Sequence, residues 1–105
     1  QPILVTDIVM PAAGTVFNPG DKVTISAQGF QTDDEIMFEI YWPLPDEPAL
    51  NYQGHARGVL PVMLEQTATS ITFLAPGHYP ASTTKILLRR AGDIMTLGEI
   101  AVSNG

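Results

Sequence analysis

The sequence predicts an all-β domain, a sandwich or barrel of about seven strands, and three observations carry that expectation. Apolar and polar residues alternate with period two in several windows, as half-buried antiparallel strands require. Nine prolines and nine glycines among 105 residues leave few windows able to hold a three-turn helix. Turn clusters separate the strand candidates at short, fairly regular spacing, with no solenoid or propeller period.

Taken in order, Ile3–Met10 reads as a first strand that stops at Pro11. Asn18-Pro19-Gly20-Asp21 is a turn, with proline fixing one φ and glycine supplying a positive one. The clearest strand follows at Lys22–Phe30, where Val23, Ile25 and Ala27 face one way and Thr24, Ser26 and Gln28 the other. Asp33-Asp34-Glu35 reads as a solvated acidic turn. Glu35–Trp42 alternates again, with Ile36, Phe38, Ile40 and Trp42 set against Met37, Glu39 and Tyr41. Both of its faces are partly apolar, which suits a central strand.

Pro43–Gly58 is expected to be one long irregular connection, because three prolines, two glycines and many polar residues oppose a continued strand. Val59–Gln66 is a weaker strand, confined by Pro61 to an edge or a bulge. Thr69–Ala75 is closed by Pro76-Gly77, and Thr84–Arg90 and Ile94–Val102 flank Ala91-Gly92-Asp93 as a hairpin. The expected core is Val23, Ile25, Ile36, Phe38, Ile40, Ile71, Phe73, Ile86 and Leu88.

Composition excludes several functions. With no cysteine, disulfide staples, thiolate metal sites and thiol catalysis are closed to the chain. Five Lys+Arg against eleven Asp+Glu give a net charge of −6, so nucleic acid is not an expected partner. Charged residues make up 15% and hydrophobic ones 45%, which opposes disorder. The longest apolar run, Val59–Leu64, is far short of the ~20 residues of a membrane helix, so no membrane span is expected. Gln1-Pro2 does not read as an export signal, which leaves a cytoplasmic chain or the mature form of an exported one.

Residues Pro11–Phe30 resemble the opening of an IPT/TIG domain. A proline-glycine turn (Pro11, Gly14) precedes the strand Gly20-Asp21-Lys22-Val23-Thr24-Ile25, and the pair Gly29-Phe30 follows it. Thr69–Pro76 resembles that family's strand ending in proline, and Lys85–Val102 its closing hairpin. Positions 43–66 depart from the pattern by a longer, proline-rich loop. The resemblance implies a single early-set immunoglobulin-like β-sandwich over 1–105, in two sheets, without catalytic machinery or cofactors. It further implies a Bacteroides-type exported surface protein, extracellular or at the cell surface, acting as a spacer or interaction module toward neighbouring domains or other surface proteins. Glycan-uptake proteins carry relatives of this kind.

The residues offer four kinds of candidate chemistry. His55 and His78 lie near no Gly-x-Ser-x-Gly elbow, and Ser26, Ser70, Ser82 and Ser103 show no triad spacing, so no catalytic residue is expected. Asp33-Asp34-Glu35 and Asp46-Glu47 lack EF-hand spacing, and alternating side chains cannot converge on one ion, so no metal is expected. Lys85, Arg89 and Arg90 split between two strand faces and form no basic stripe. Aromatic residues supply the binding candidates. Trp42 ends a strand, Tyr52 lies in the long connection and Tyr79 in a Pro-Gly-His-Tyr-Pro turn, with Asn51 and Arg57 as polar partners. Rings of this kind can stack on a sugar while amides and a guanidinium bond its hydroxyls, making polysaccharide the second candidate partner. The competing role for Trp42 is core packing, because it is in phase with Phe38 and Ile40.

Overall fold

A computed structural model describes residues 3–43, 53–77 and 81–103. Among these residues the chain forms nine strands and no helix long and apolar enough to cross a membrane. In order they are β1 (Thr6–Val9), β2 (Val16–Phe17), β3 (Lys22–Gln28), β4 (Glu35–Pro43), β5 (Gln53–Val59), β6 (Met63–Gln66), β7 (Ser70–Leu74), β8 (Ser82–Arg90) and β9 (Asp93–Val102). They make a four-stranded sheet, β1-β3-β7-β6, facing a five-stranded sheet, β2-β9-β8-β4-β5. Every neighbouring pair is antiparallel except β2 with β9. This is the strand order of an immunoglobulin-type sandwich.

The alternation read from the sequence is what closes the interior. In β3, Val23, Ile25 and Ala27 are buried while the residues between them are exposed. All nine expected core residues are buried, joined by Val5, Phe30, Leu97, Ile100 and Val102. Phe38 of β4 meets Phe73 of β7 edge-on, with ring centroids 5.5 Å apart and planes at 62°. That contact ties the two sheets together at the centre and adds to the area both rings bury. On the outer side of the four-stranded sheet, Thr24 and Thr72 share a 3.0 Å hydroxyl contact across β3 and β7.

The β8–β9 hairpin turns on Ala91-Gly92, with Arg90 opposite Asp93. Both turn residues have positive φ, 51° and 86°, as a type I′ turn demands. Glycine takes this conformation without strain. Alanine does so at a cost.

Three expectations need correction. The stretch 43–58 is not one irregular connection, because Gln53–Val59 pairs along β4 as an edge strand, Glu39 opposite Arg57 and Tyr41 opposite His55. It reads as polar and glycine-containing because an edge strand with a solvated face needs little hydrophobicity of its own. Residues 44–52 lie outside the described residues. The strand expected over 59–66 is split: Val59 ends β5, and β6 begins after Pro61. Adding β5 and the two-residue β2, too short to show periodicity, raises the strand number from about seven to nine.

The third correction concerns Asp33-Asp34-Glu35. Asp34 is not solvated: its side chain is 1% exposed and faces the Arg90 guanidinium. Arg90 donates through Nε and Nη2 to the two carboxylate oxygens, at 2.6 and 2.7 Å, and through Nη2 to the Gly29 carbonyl. The Gln31 N–H donates to Asp34, and the Gln66 amide donates to the Asp34 carbonyl. The β3–β4 turn is thereby fastened to the end of β8 and to β6. Burial acts to raise the Asp34 pKa, but the Arg90 hydrogen bonds, the Gln31 N–H and the Arg90 charge together hold it below its ordinary value.

Candidate functional site

The strand ends Pro43, Gln53 and Ser82 lie together, because Pro43 pairs with Gln53 and Tyr41 with Thr83. Val102 pairs with Ser82 and Phe17 with Val102 at the same end. Of the binding candidates named from the sequence, Trp42 belongs to β4 and Arg57 to β5. Asn51, Tyr52 and Tyr79 themselves lie outside the described residues.

The two described candidates are placed on different faces. Trp42 keeps the phase of Phe38 and Ile40, is half-buried and packs against the core. Its ring lies over Gly54, its pairing partner in β5, where any side chain would occupy the same space. Arg57 projects from the opposite face of β5, half exposed, with Nε 3.6 Å from Glu39 Oε2. The structure therefore does not bring Trp42 and Arg57 together.

It does assemble an array that sequence reasoning missed. On the outer face of the five-stranded sheet, Tyr41 of β4 stacks on His55 of β5, centroids 4.6 Å apart and planes at 11°. Lys85 of β8 sets its Nζ 5.4 Å from the Tyr41 ring centroid. His55 Nε2 lies 3.0 Å from Glu39 Oε2; an ionised carboxylate accepts, so Nε2 carries the hydrogen. That hydrogen bond, chiefly, holds the Glu39 carboxyl below its ordinary pKa against the opposing effect of burial, and the Arg57 charge adds to it. The signal was present in EIMFEIYW, whose alternation sets Glu39 and Tyr41 opposite Phe38 and Ile40. Without β5 recognised as a strand, nothing pointed to His55 as their neighbour.

Beside this array the same end of the sheet holds a shallow groove of about 920 Å³. Tyr41, Thr83, Lys85 and Glu99 line it from β4, β8 and β9, with Val16 of β2 and Ala101 at its rim. Ser82 also lines it, with a buried hydroxyl that has no hydrogen-bond partner among the described residues. The arrangement offers an apolar strip beside one ammonium and one carboxylate. His55 is stacked on the Tyr41 ring and Lys85 Nζ stands 5.4 Å from its centroid, so Tyr41 serves as wall rather than as a free stacking platform. Among the described residues, no three His, Asp or Glu side chains are grouped to hold a metal ion.

The model of the DUF4784 N-terminal Ig-like domain matches residues 2–105. The chain is also similar to the crystal structure of a DUF4784 family protein from Bacteroides caccae ATCC 43185, with a TM-score of 0.88 and 31% identity. That match covers 99% of this chain and 25% of the other, so the chain spans about a quarter of that relative's length. No curated protein matches it. The chain belongs to the family of DUF4784 N-terminal Ig-like domains.

Proposed function

We propose that this domain is a non-catalytic interaction or spacer module of an exported bacterial cell-surface protein, IPT/TIG-like in kind, serving a glycan-uptake system. One observation carries the reading: in the Bacteroides caccae relative, the matching region is a quarter of a longer chain. A sandwich with a sealed interior suits such a place, because its loops, rims and strand edges are what it offers to neighbours. Exposed apolar side chains support it, notably Leu60, Val62 and Leu64 along the passage from β5 to β6, at 67%, 60% and 48% exposure. Protease shaving of intact cells tests the location. Removal of the domain from the outside is the expected result, and full protection would count against surface display.

A second reading is a carbohydrate-binding module. It is favoured by the mixed groove, which Trp42 borders at the end of the sheet carrying the long connection. Calorimetric titration with plant and host polysaccharides, repeated on Tyr52→Ala, separates the two. Absence of heat with every glycan removes the second reading, and a Tyr52-dependent affinity removes the pure spacer.

A further inference from the structure

We infer that the groove bounded by Val16, Tyr41, Lys85, Glu99 and Ala101 is the seat of the next portion of the longer protein, the part that follows this domain. The inference rests on the module reading above and gives it a surface. Position comes first. Strand β9 runs along the groove, and Val102 and Ser103 form its wall. Ser103, just past β9, lines the groove, so a chain that continues beyond an N-terminal domain of this family leaves the sandwich beside it. The surface chemistry fits such a neighbour. Val16 is 60% exposed and Ala101 is exposed beside it, an apolar rim to the groove. Lys85 and Glu99 stand opposite each other across the β8–β9 ladder, giving one charge of each sign on the floor. Interfaces between domains of one chain are of this mixed character, more polar than a core. The occupant is therefore a surface presenting an apolar side chain between Val16 and Ala101 and opposite charges near Lys85 and Glu99.

The test uses the full-length protein, because this domain contributes two lysines on different sheets, Lys22 in β3 and Lys85 in β8. Acylation of each is followed by mass spectrometry in the unaltered protein and in Val16→Asp, with Ala101→Asp as a second variant should the first fail to fold. Docking predicts that Lys85 reacts about tenfold more slowly in the unaltered protein than in the variant, while Lys22 reacts alike in both. Small-angle scattering should show the variant's radius of gyration increased. Equal Lys85 rates in unaltered and variant proteins, both folded by circular dichroism, overturn the docking groove and leave the module reading standing. A fast Lys85 that only added polysaccharide slows also overturns it, and supports the carbohydrate reading instead.

Discussion

Arg90 and Asp34, 56 residues apart in sequence, form a two-pronged ion pair in which the carboxylate is almost wholly withdrawn from water. Removing one member of a buried pair leaves the other charge uncompensated. Arg90→Met is therefore expected to destabilise the domain by about 3 kcal/mol, the low end of the range for such pairs because Arg90 keeps some exposure. Asp34→Asn should cost less, since the amide oxygen still accepts from Gln31. The double variant should cost less than the sum of the two. Urea unfolding of the three variants checks the ordering, and additive losses would mean the pair is not coupled.

The same pair sets an acid limit. The folded Asp34 pKa lies below its unfolded value, so the unfolded chain takes up the proton first as pH falls. Its contribution is complete above the ordinary carboxylate range and is lost as pH drops below that range through the folded pKa. Urea midpoints measured across that window should fall more steeply in the unaltered domain than in Asp34→Asn. Parallel slopes would remove Asp34 as a source of acid sensitivity.

These two residues also show where sequence reading runs out. The core residues Val23 to Leu88 were legible because burial on one face of a strand writes itself as alternation, a local signal. Asp34 and Arg90 each look like ordinary surface charges in their own windows, and only the meeting of the β3–β4 turn with the end of β8 makes them partners. The array around Tyr41 is hidden for the same reason. Glu39 and Tyr41 have a readable phase, but His55 and Arg57 lie on an edge strand whose glycines and polar residues resemble a loop. Strand β5 exists because β4 offers it a ladder, not because of its own pattern.

Ala91 offers a gain rather than a loss. It occupies the first position of a turn whose φ of 51° disfavours a Cβ-bearing residue, while asparagine tolerates that region well. Ala91→Asn is expected to stabilise the domain by about 0.5–1 kcal/mol, with the melting temperature rising by a few degrees. Thermal unfolding decides, and a fall in melting temperature would show that the turn is not strained as described.

Trp42 is the single tryptophan, which makes its packing on Gly54 measurable. A methyl group at position 54 needs the space the indole occupies, so Gly54→Ala should push the ring off β5 toward water. The expected cost is about 1–3 kcal/mol, accompanied by a red shift of the tryptophan emission. An unchanged emission maximum with unchanged stability would place the indole elsewhere.

Glu39 is the hub of the outer face, accepting from His55 and lying near Arg57, and both partners belong to the edge strand. Because His55 and Arg57 are about half exposed, water screens these contacts, and each pair is expected to contribute at most about 1 kcal/mol. The cycle Glu39→Gln, His55→Gln and their double variant isolates the coupling from the stacking of His55 on Tyr41, which both His55 variants lose. A coupling of about 0.5–1 kcal/mol is expected at low salt, shrinking as ionic strength rises. The pH sense follows from the depressed Glu39 pKa: the contribution stands above the ordinary carboxylate range and disappears as acid protonates the folded group. If the coupling is zero at low salt, β5 is held to β4 by its backbone ladder and the Tyr41–His55 stack alone, and the charged groups above them are free to meet a partner without loosening the edge.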